Sequence, residues 1–370
     1  MKTFTLPEID EDMLQDVVEE TNIHCANSST TSILLEQDPH NTSLLNELFR
    51  SVHTIKGVVA IAQVSPLLPL LMAMEDILAM IREGELSYNT QISDALLSIL
   101  NEVKFFVADC AVEKSIDYDP DIYISAATWL KQVRPDNQAE HQSLFTKVTL
   151  ALESSTEYEK NSAGFYEQSF DDLDIDWAKE IEPDLIFFQS IMKPVEQRLD
   201  NWEGRSDRQL KLALLLNQFA GKPVDETQLI AAVYLHDIGM ALLPLALLRK
   251  TSPLKDSETT RVRGHVERAV NFLSEMPHWS EARQFIYEHH ERPDGDGYPN
   301  GLGNDDISHG AKILALVDSF EAMTHERARH RHEKRSIIHA LQEINHSSGT
   351  QFCPFWVETL NRVMDSILAK

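Results

Sequence analysis

The sequence predicts an all-α protein, and three observations support that prediction. Apolar residues recur at three- and four-residue steps in segments 44–62, 66–83 and 90–110, which is the period of a helix with one buried face. Alternating patterns typical of strands are scarce, and the chain has only 13 glycines. Asn41, directly before Thr42 and Ser43, is a typical N-cap for the first of these helices.

The chain is long enough for more than one domain. Its 370 residues correspond to two domains at roughly 100–200 residues each. The composition changes near residue 154, because Ser154 to Leu185 contains ten acidic residues and two lysines. We therefore predict a helical bundle over residues 1–135, an acidic linker or hinge over 136–182 and a second helical domain over 183–370.

Composition excludes several classes of partner. The net charge of −26 repels phosphate backbones and anionic lipid surfaces, so we expect no nucleic-acid partner and no membrane insertion. The three cysteines are widely spaced and form no CxxC pair, which is typical of a reducing compartment. The N-terminus lacks the apolar core of a signal peptide, and no run of 18 apolar residues occurs. We expect a cytoplasmic protein.

A histidine, whose neutral side chain is a nucleophile near pH 7, lies in the first helical segment. His53 is followed by Lys56 on the same predicted face, where the ammonium group can neutralise a transferred phosphoryl group. Gly57 has no side chain and allows a partner's surface to approach closely. Glu75, on the next predicted helix, can accept one ring N–H and leave the other nitrogen to attack. For the HxxKG pattern alone, the alternative is a solvated helix histidine beside a lysine.

The wider pattern resembles the histidine phosphotransfer (HPt) domain of chemotaxis-type histidine kinases. The strings LFRSVHTIKG and MAMEDILAMIREGEL carry the resemblance, with Asn89 and the helix after it. It implies that His53 is the phosphoacceptor, supported by Lys56, Gly57 and Glu75. It also implies a response-regulator receiver domain or a histidine kinase as partner. No ATP-binding kinase motif follows, so the expected role is that of a phosphoryl acceptor or shuttle.

Histidines are concentrated in the C-terminal part of the chain. Eleven of the fifteen lie between His236 and His346, and some form His-Asp and His-His pairs inside apolar segments. Burying such groups costs free energy unless they are paired or bind a metal ion. Histidine nitrogen and carboxylate oxygen are ligands for Zn, Mn or Fe, and two bridged ions can clamp a phosphodiester. The candidate ligands are His236, Asp237, His265, His289, His290 and Asp318. By spacing alone, a set of hydrogen-bonded core histidines is the alternative.

The segment from Leu229 to about Val357 resembles an HD-GYP domain. The strings that carry this resemblance are LHDIG, GHVERAVNFL, EHHERPDGDGYPNGL and ILALVDSFEAMT. Such domains are all-helical and hydrolyse cyclic-di-GMP at a centre of two or three metal ions. Carried over by position, the metal ligands are the six residues just named, Asp237 is also catalytic, Arg327 contacts substrate phosphate, and Gly297, Tyr298 and Pro299 form the GYP loop. The resemblance implies one or two divalent transition-metal ions, with Fe or Mn expected, and cyclic-di-GMP and GGDEF-type signalling proteins as partners.

Two positions depart from the HD-GYP pattern. Arg205 holds the position of a family metal-binding histidine, and Asn201 that of the glutamate before it. Arginine stays protonated and cannot ligate a cation. Glu203 or Asp207 is a substitute ligand if the helix register shifts. Met240 replaces a family lysine and removes a cation near the substrate phosphate. We expect one ion to bind well and a second weakly.

Two functions follow from these resemblances, and the sequence leaves both open. In the first, phosphorylation of His53 regulates metal-dependent hydrolysis of cyclic-di-GMP. In the second, the HD-GYP module is catalytically degenerate, and the chain acts as a phosphorylation-controlled regulator that binds a protein or a nucleotide. Two tightly bound metal ions per chain would contradict the second hypothesis.

Overall fold

The computed structural model describes residues 1–7, 11–155, 182–198, 202–250, 252–325 and 337–368. The chain divides into two compact units, Met1–Lys160 and Asn161–Lys370. Most of the predicted acidic linker lies outside the described residues, and so does Arg327. The described residues are mainly helical, which confirms the all-α prediction.

The first unit is a helical bundle. Its helices are α1 (Glu11–Gln37), α2 (Thr42–Ile61), α3 (Leu68–Arg82), α4 (Thr90–Glu113), α5 (Pro120–Leu130) and α6 (Gln138–Ser155). Helix α1 packs on α2 and α4, α2 packs on α3, and α6 packs on α4 and α5. Asn41 accepts hydrogen bonds from the backbone N–H groups of Ser43 and Leu44, which confirms the predicted N-cap of α2. Asn89 caps α4 in the same way.

Helix α2 has one buried and one exposed face. Leu48, Val52 and Ile55 are fully buried and recur at the predicted three- and four-residue steps. His53 follows Val52 directly and therefore lies away from the core, with its side chain 62% exposed. The pattern of apolar residues thus decides that the histidine faces solvent.

A short antiparallel sheet joins the beginning of the first unit to the end of α4. Strand β1 (Lys2–Thr5) pairs with β2 (Ser115–Tyr118), and Lys2 lies opposite Tyr118. Four-residue strands give too little alternation to be recognised in a sequence, and neither strand was predicted.

Helix α6 belongs to the core of the first unit. Phe145, Val148 and Leu152 are buried in its hydrophobic cluster. The predicted linker over 136–182 therefore includes a packed helix at its beginning. The linker and domain bounds themselves stay a prediction.

The second unit is also a helical domain. Its helices are α7 (Glu182–Glu196), α8 (Arg205–Phe219), α9 (Glu226–Leu235), α10 (Leu245–Leu248), α11 (Asp256–Arg263), α12 (His265–Phe272), α13 (Ser280–Glu288), α14 (His309–Thr324), α15 (Ile337–His346) and α16 (Pro354–Leu368). Helix α9 is the central element, because every residue from Gln228 to Leu235 is buried. It packs on α7, α8, α13 and α14, which brings the ends of several helices together.

The beginning of α8 is held by α7. Gly204 adopts a left-handed φ of 71°, which a residue without a side chain tolerates, and the chain turns there into α8. The carboxylate of Glu196 accepts hydrogen bonds from the backbone N–H groups of Gly204 (3.0 Å) and Ser206 (2.8 Å). This contact satisfies free N–H groups of the helix start and fixes the position of Arg205.

Among the described residues, no helix has the length and apolar character needed to cross a bilayer.

Candidate functional site

The first candidate site lies on α2 and α3 and contains His53, Lys56 and Glu75. One oxygen of Glu75 lies 2.5 Å from Nδ1 of His53, and its other oxygen accepts a hydrogen bond from Nζ of Lys56. An ionised carboxylate is only an acceptor, so Nδ1 carries the proton and Nε2 keeps its lone pair. The predicted grouping of these three side chains is therefore present in the structure.

Electrostatics favour the ionised form of Glu75. Burial opposes ionisation, but hydrogen bonds from Lys56 and His53 outweigh it and hold the pKa of Glu75 below its ordinary value. The carboxylate can then fix the tautomer of His53 at neutral pH. The ring of His53 stacks on that of Phe49. The guanidinium of Arg82 also lies over the ring of Phe49, 4.0 Å from its centroid.

Gly57 leaves open space beside His53. A Cβ atom added at Gly57 would meet no atom within 4 Å. The internal packing of the unit therefore does not require glycine here.

The second candidate site lies where helix ends of the second unit meet. His236 and Asp237 follow α9, His265 begins α12, and His289 and His290 follow α13. Asp318 is in the middle of α14. Among the described residues, two groups have ligand atoms within 4.8 Å of one another: His265 with His289 and His290, and His236 with Asp237 and Asp318. The structure thus brings together all six predicted ligands.

Three of these imidazoles are fixed in the same way. Nδ1 of His236, His265 and His289 each lies within 2.9 Å of the backbone carbonyl three residues earlier. A carbonyl accepts only, so each Nδ1 donates and each Nε2 keeps a lone pair. The Nε2 atoms of His236 and His289 are buried and have no hydrogen-bond partner among the described residues. Such unsatisfied nitrogens are what a metal site requires.

Burial keeps the first group of histidines neutral. It lowers the pKa of His290 to about 4, with His265 contributing further. Burial also lowers the pKa of His265, and it lowers the pKa of His289 well below the ordinary value with the help of His290. Neutral imidazole is the form that binds a metal ion, so His265, His289 and His290 fit a divalent transition-metal ion.

The second group contains a cation supplied by the chain. The side chain of Arg205 is 4% exposed, and its NH1 donates to Oδ2 of Asp237 at 2.5 Å. Its NH2 donates to Oδ1 of Asp318, and its Nε lies 3.3 Å from Oε2 of Glu321. Burial opposes ionisation of Asp237, but Arg205 and the neighbouring histidines hold its pKa well below the ordinary value. These contacts do not fit a metal ion bound in the second group, because a guanidinium already bridges its two carboxylates.

Asp207 and Glu203, the two predicted substitutes for the missing metal-binding histidine, have other surroundings. Asp207 accepts hydrogen bonds from Gln189 and from the hydroxyl of Tyr234, each at 3.1 Å. Glu203 is exposed. Met240 packs against the apolar cluster of Leu243, Leu247 and Leu248.

The GYP loop packs closely on the first group of histidines. The ring of Tyr298 stacks on His290 with centroids 4.7 Å apart. A Cβ atom at Gly297 would lie 2.4 Å from the backbone nitrogen of Arg292 and 2.5 Å from Cα of Glu291, so only glycine fits. The peptide bond between Tyr298 and Pro299 is cis. The predicted loop residues therefore lie at the site.

A buried glutamate holds the same loop in place. Glu291 accepts hydrogen bonds from the backbone N–H groups of Asn300 (2.6 Å) and Leu302 (2.9 Å). Two charge-assisted hydrogen bonds to backbone groups restrain a loop that has little secondary structure of its own.

A cavity of about 340 Å³ opens beside this group of histidines. It is lined by Arg263, His289, His290, Glu291, Arg292, Asp296, Gly297, Tyr298, Ala315, Asp318, Ser319, Gln351 and Phe352. The guanidinium of Arg263 lies 4.6 Å from the ring centroid of Tyr298. Arg292 also lines the cavity and pairs with Asp294. The cavity thus places two arginines near candidate metal ligands, an arrangement that suits a phosphate group.

Comparison with protein families assigns both units. Residues 12–105 match the family model described as "Hpt domain", and residues 191–354 match that described as "HD domain". The chain contains an Hpt domain and an HD domain. Both resemblances found in the sequence are thereby confirmed.

The curated relatives compared below are named as phosphodiesterases. A 3'3'-cGAMP-specific phosphodiesterase 2 of Vibrio cholerae is 32% identical over 36% of this chain and 26% of its own length. A cyclic di-GMP phosphodiesterase of Thermotoga maritima is 32% identical over 38% of each chain. The cyclic di-GMP phosphodiesterase response regulator RpfG of Xanthomonas campestris is 29% identical over 46% of each. The chain therefore spans less than half the length of these relatives.

Sequence reasoning missed how the HD domain uses Arg205. The departure from the family pattern was visible, but its ion pairs with Asp237, Asp318 and Glu321 were not. Asp318 and Glu321 are three residues apart on α14, so they share a helical face, and this spacing is a signal for a paired cation. The place of Arg263 in the cavity was missed as well.

Proposed function

We propose that this chain is a two-component signalling protein whose HD domain is a metal-dependent phosphodiesterase for cyclic dinucleotides. The observation that carries the proposal is the group of buried His265 and His289 with half-buried His290, whose pKa values are all lowered, beside the arginine-lined cavity. A divalent ion at this group supplies Lewis-acid activation of a phosphodiester. Iron or manganese suits imidazole and carboxylate ligands.

The protein's own residues would bind and orient the substrate. Arg263 and Arg292 supply positive charge on the cavity wall for a phosphate group. Tyr298 presents a ring that is held between His290 and Arg263. Asp237 is proposed as a metal ligand and catalytic carboxylate, since its Oδ1 lies 3.4 Å from Nε2 of His265. The names of the curated relatives support cyclic-di-GMP or a related cyclic dinucleotide as substrate.

The Hpt domain would supply the regulatory input. Nε2 of His53 takes the phosphoryl group from a receiver domain or a histidine kinase, while Glu75 holds the proton on Nδ1. Lys56 lies beside the same carboxylate and stabilises the added negative charge. Phosphorylation at His53 would then control the HD domain.

A second candidate function is a catalytically silent HD domain that binds a nucleotide or a protein. The ion pairs of Arg205 with Asp237 and Asp318 favour this candidate, because they leave one of the two candidate metal groups with a guanidinium. Under this alternative, phosphorylation of His53 would change binding and not turnover.

A turnover assay tests the first proposal against the second. The full chain is loaded anaerobically with Fe(II) or Mn(II) and incubated with cyclic-di-GMP or 3'3'-cGAMP, and the products are separated. We expect hydrolysis that His289→Ala abolishes and that His346→Ala, at an exposed histidine, leaves unchanged. Wild-type protein that binds the dinucleotide but releases no product would favour the silent regulator.

A further inference from the structure

Arg205 occupies the centre of a buried cluster of acidic side chains. Its guanidinium contacts one carboxylate with each of its three nitrogens: Asp237, Asp318 and Glu321. Arg208 donates to the other oxygen of Glu321 at 2.6 Å. The planar fork of an arginine is suited to such bridging, which a lysine cannot reproduce.

We propose that Arg205 replaces a metal ion, so that the HD domain holds a single ion at His265, His289 and His290. The guanidinium bridges the two carboxylates of the other group, Asp237 and Asp318, as a divalent cation would. The site then combines one exchangeable cation with one that is covalently part of the chain. This inference concerns how many ions bind, and it rests on the proposed metal site but not on turnover.

Charge is the first reason why a second ion is excluded. A guanidinium remains protonated in proteins, and that of Arg205 contacts three carboxylates in a buried position. A divalent ion in the same group would face this fixed positive charge at short range, with little solvent to screen it. Binding there requires that the arginine leave its partners.

The packing around Arg205 opposes such a movement. The ring of Trp202 lies on the guanidinium, 4.1 Å from its central carbon. Its backbone is fixed at the start of α8 by the hydrogen bonds that Glu196 accepts from Gly204 and Ser206. Removing the guanidinium from its carboxylates would take a cation out of a buried group of negative charges.

One nitrogen in the second group shows what the arginine displaces. Nε2 of His236 is buried without a hydrogen-bond partner and lies 3.4 Å from Oδ2 of Asp237, the oxygen that accepts from Arg205. An ion at this position would engage both atoms. A neutral imidazole in place of the guanidinium removes the fixed charge and adds a fourth candidate ligand to His236, Asp237 and Asp318.

The test is a count of bound manganese in the full-length chain. Wild type, Arg205→His and Arg208→His are stripped with a chelator, titrated with Mn(II) by calorimetry and analysed for metal after desalting. We expect one ion per chain in wild type and two in Arg205→His. Arg208→His removes a neighbouring cation that contacts Glu321 but neither Asp237 nor Asp318, so we expect it to keep one ion.

Each result decides the inference. Two ions or none in wild type would overturn it, as would a single ion in a folded Arg205→His variant. If Arg205→His unfolds when stripped, its melting temperature with Mn(II) is compared with that of wild type. We expect Mn(II) to raise the melting temperature of the variant more, and an equal rise would contradict the inference.

The turnover assay separates this inference from the proposed function. One ion in wild type without hydrolysis of a cyclic dinucleotide would support the replacement by Arg205 and refute the phosphodiesterase. Two ions together with hydrolysis would do the opposite.

Discussion

The two histidine sites of this chain differ most in exposure. The side chain of His53 is 62% exposed, whereas those of His236 and His265 are each 1% exposed. At His53 a carboxylate from the next helix fixes Nδ1. At the HD site, backbone carbonyls fix Nδ1 of His236, His265 and His289.

This difference teaches how one residue type serves two kinds of chemistry. In both sites Nδ1 donates a hydrogen bond, which leaves Nε2 as the reactive atom. An exposed Nε2 can meet a group carried by another protein, as phosphoryl transfer requires. Buried Nε2 atoms that converge on one another cannot meet a protein partner, but they match a small cation. Exposure, more than sequence context, separates a nucleophile from a ligand.

The largest expected effect is the loss of the buried cation in the HD domain. In the presence of a chelator, Arg205→Ala should lower the free energy of unfolding by about 3–5 kcal/mol, because it removes the cation that pairs with three carboxylates in a buried position. Arg292→Ala is the control, since its pair with Asp294 is partly exposed, and we expect a loss of less than about 1 kcal/mol. Urea denaturation, followed at the transition of the HD domain, measures both values. Equal losses would contradict the central role given to Arg205.

The second effect tests how tightly the GYP loop packs on the buried histidines. Gly297→Ala should cost about 1–3 kcal/mol, because the new Cβ would lie 2.4 Å from the backbone of Arg292. Gly303→Ala is the matched control: its Cβ would meet no atom within 4 Å, so a change within about 0.5 kcal/mol is expected. Thermal unfolding and Mn(II) affinity report the two consequences. If Gly297→Ala unfolds and binds Mn(II) like Gly303→Ala, the loop does not support the metal site.

Much of both sites follows from local sequence, and the reason is physical. The N-cap at Asn41 and the outward position of His53 depend on residues within one helix, and the apolar period predicts both. The contact from His53 to Glu75 joins neighbouring helices, and the HPt resemblance predicts it.

What could not be predicted depends on contacts between distant segments. Arg205 meets Asp318 and Glu321 across more than a hundred residues, and no local pattern links them. The pairing of Lys2 with Tyr118 could not be predicted for the same reason. Such contacts exist only once the helices have packed. A departure from the family pattern such as Arg205 therefore indicates that the site has changed, but it does not show which side chains the new residue contacts.

The third effect returns to the exposed site and to the carboxylate that fixes His53. Glu75→Gln should slow phosphoryl transfer to His53 by roughly 10- to 100-fold, by analogy with the loss seen when a group that orients a metal-binding histidine is removed. Asp76→Asn, at an exposed position on the same helix, is the control and should transfer at the wild-type rate. Incorporation of labelled phosphate from a phosphorylated receiver domain measures the rates. A Glu75→Gln variant as fast as Asp76→Asn would show that the tautomer of His53 needs no carboxylate.

The smallest expected effect on stability comes from a substitution at Gly57. It distinguishes a glycine needed for packing within the domain from one needed for contact with a partner. Because a Cβ there would meet no atom within 4 Å, Gly57→Ala should raise the free energy of unfolding of the Hpt domain by up to about 1 kcal/mol, the usual gain of alanine over glycine within a helix. The same methyl group would stand between His53 and an approaching partner, so phosphoryl transfer should slow while stability rises. A more stable variant with unchanged transfer would show that the partner does not approach over Gly57. A variant that is more stable and transfers the phosphoryl group more slowly would show that the glycine is kept for contact with another molecule, at a cost to the stability of the helix. In the HD domain, Gly297 is instead required by contacts within the chain itself.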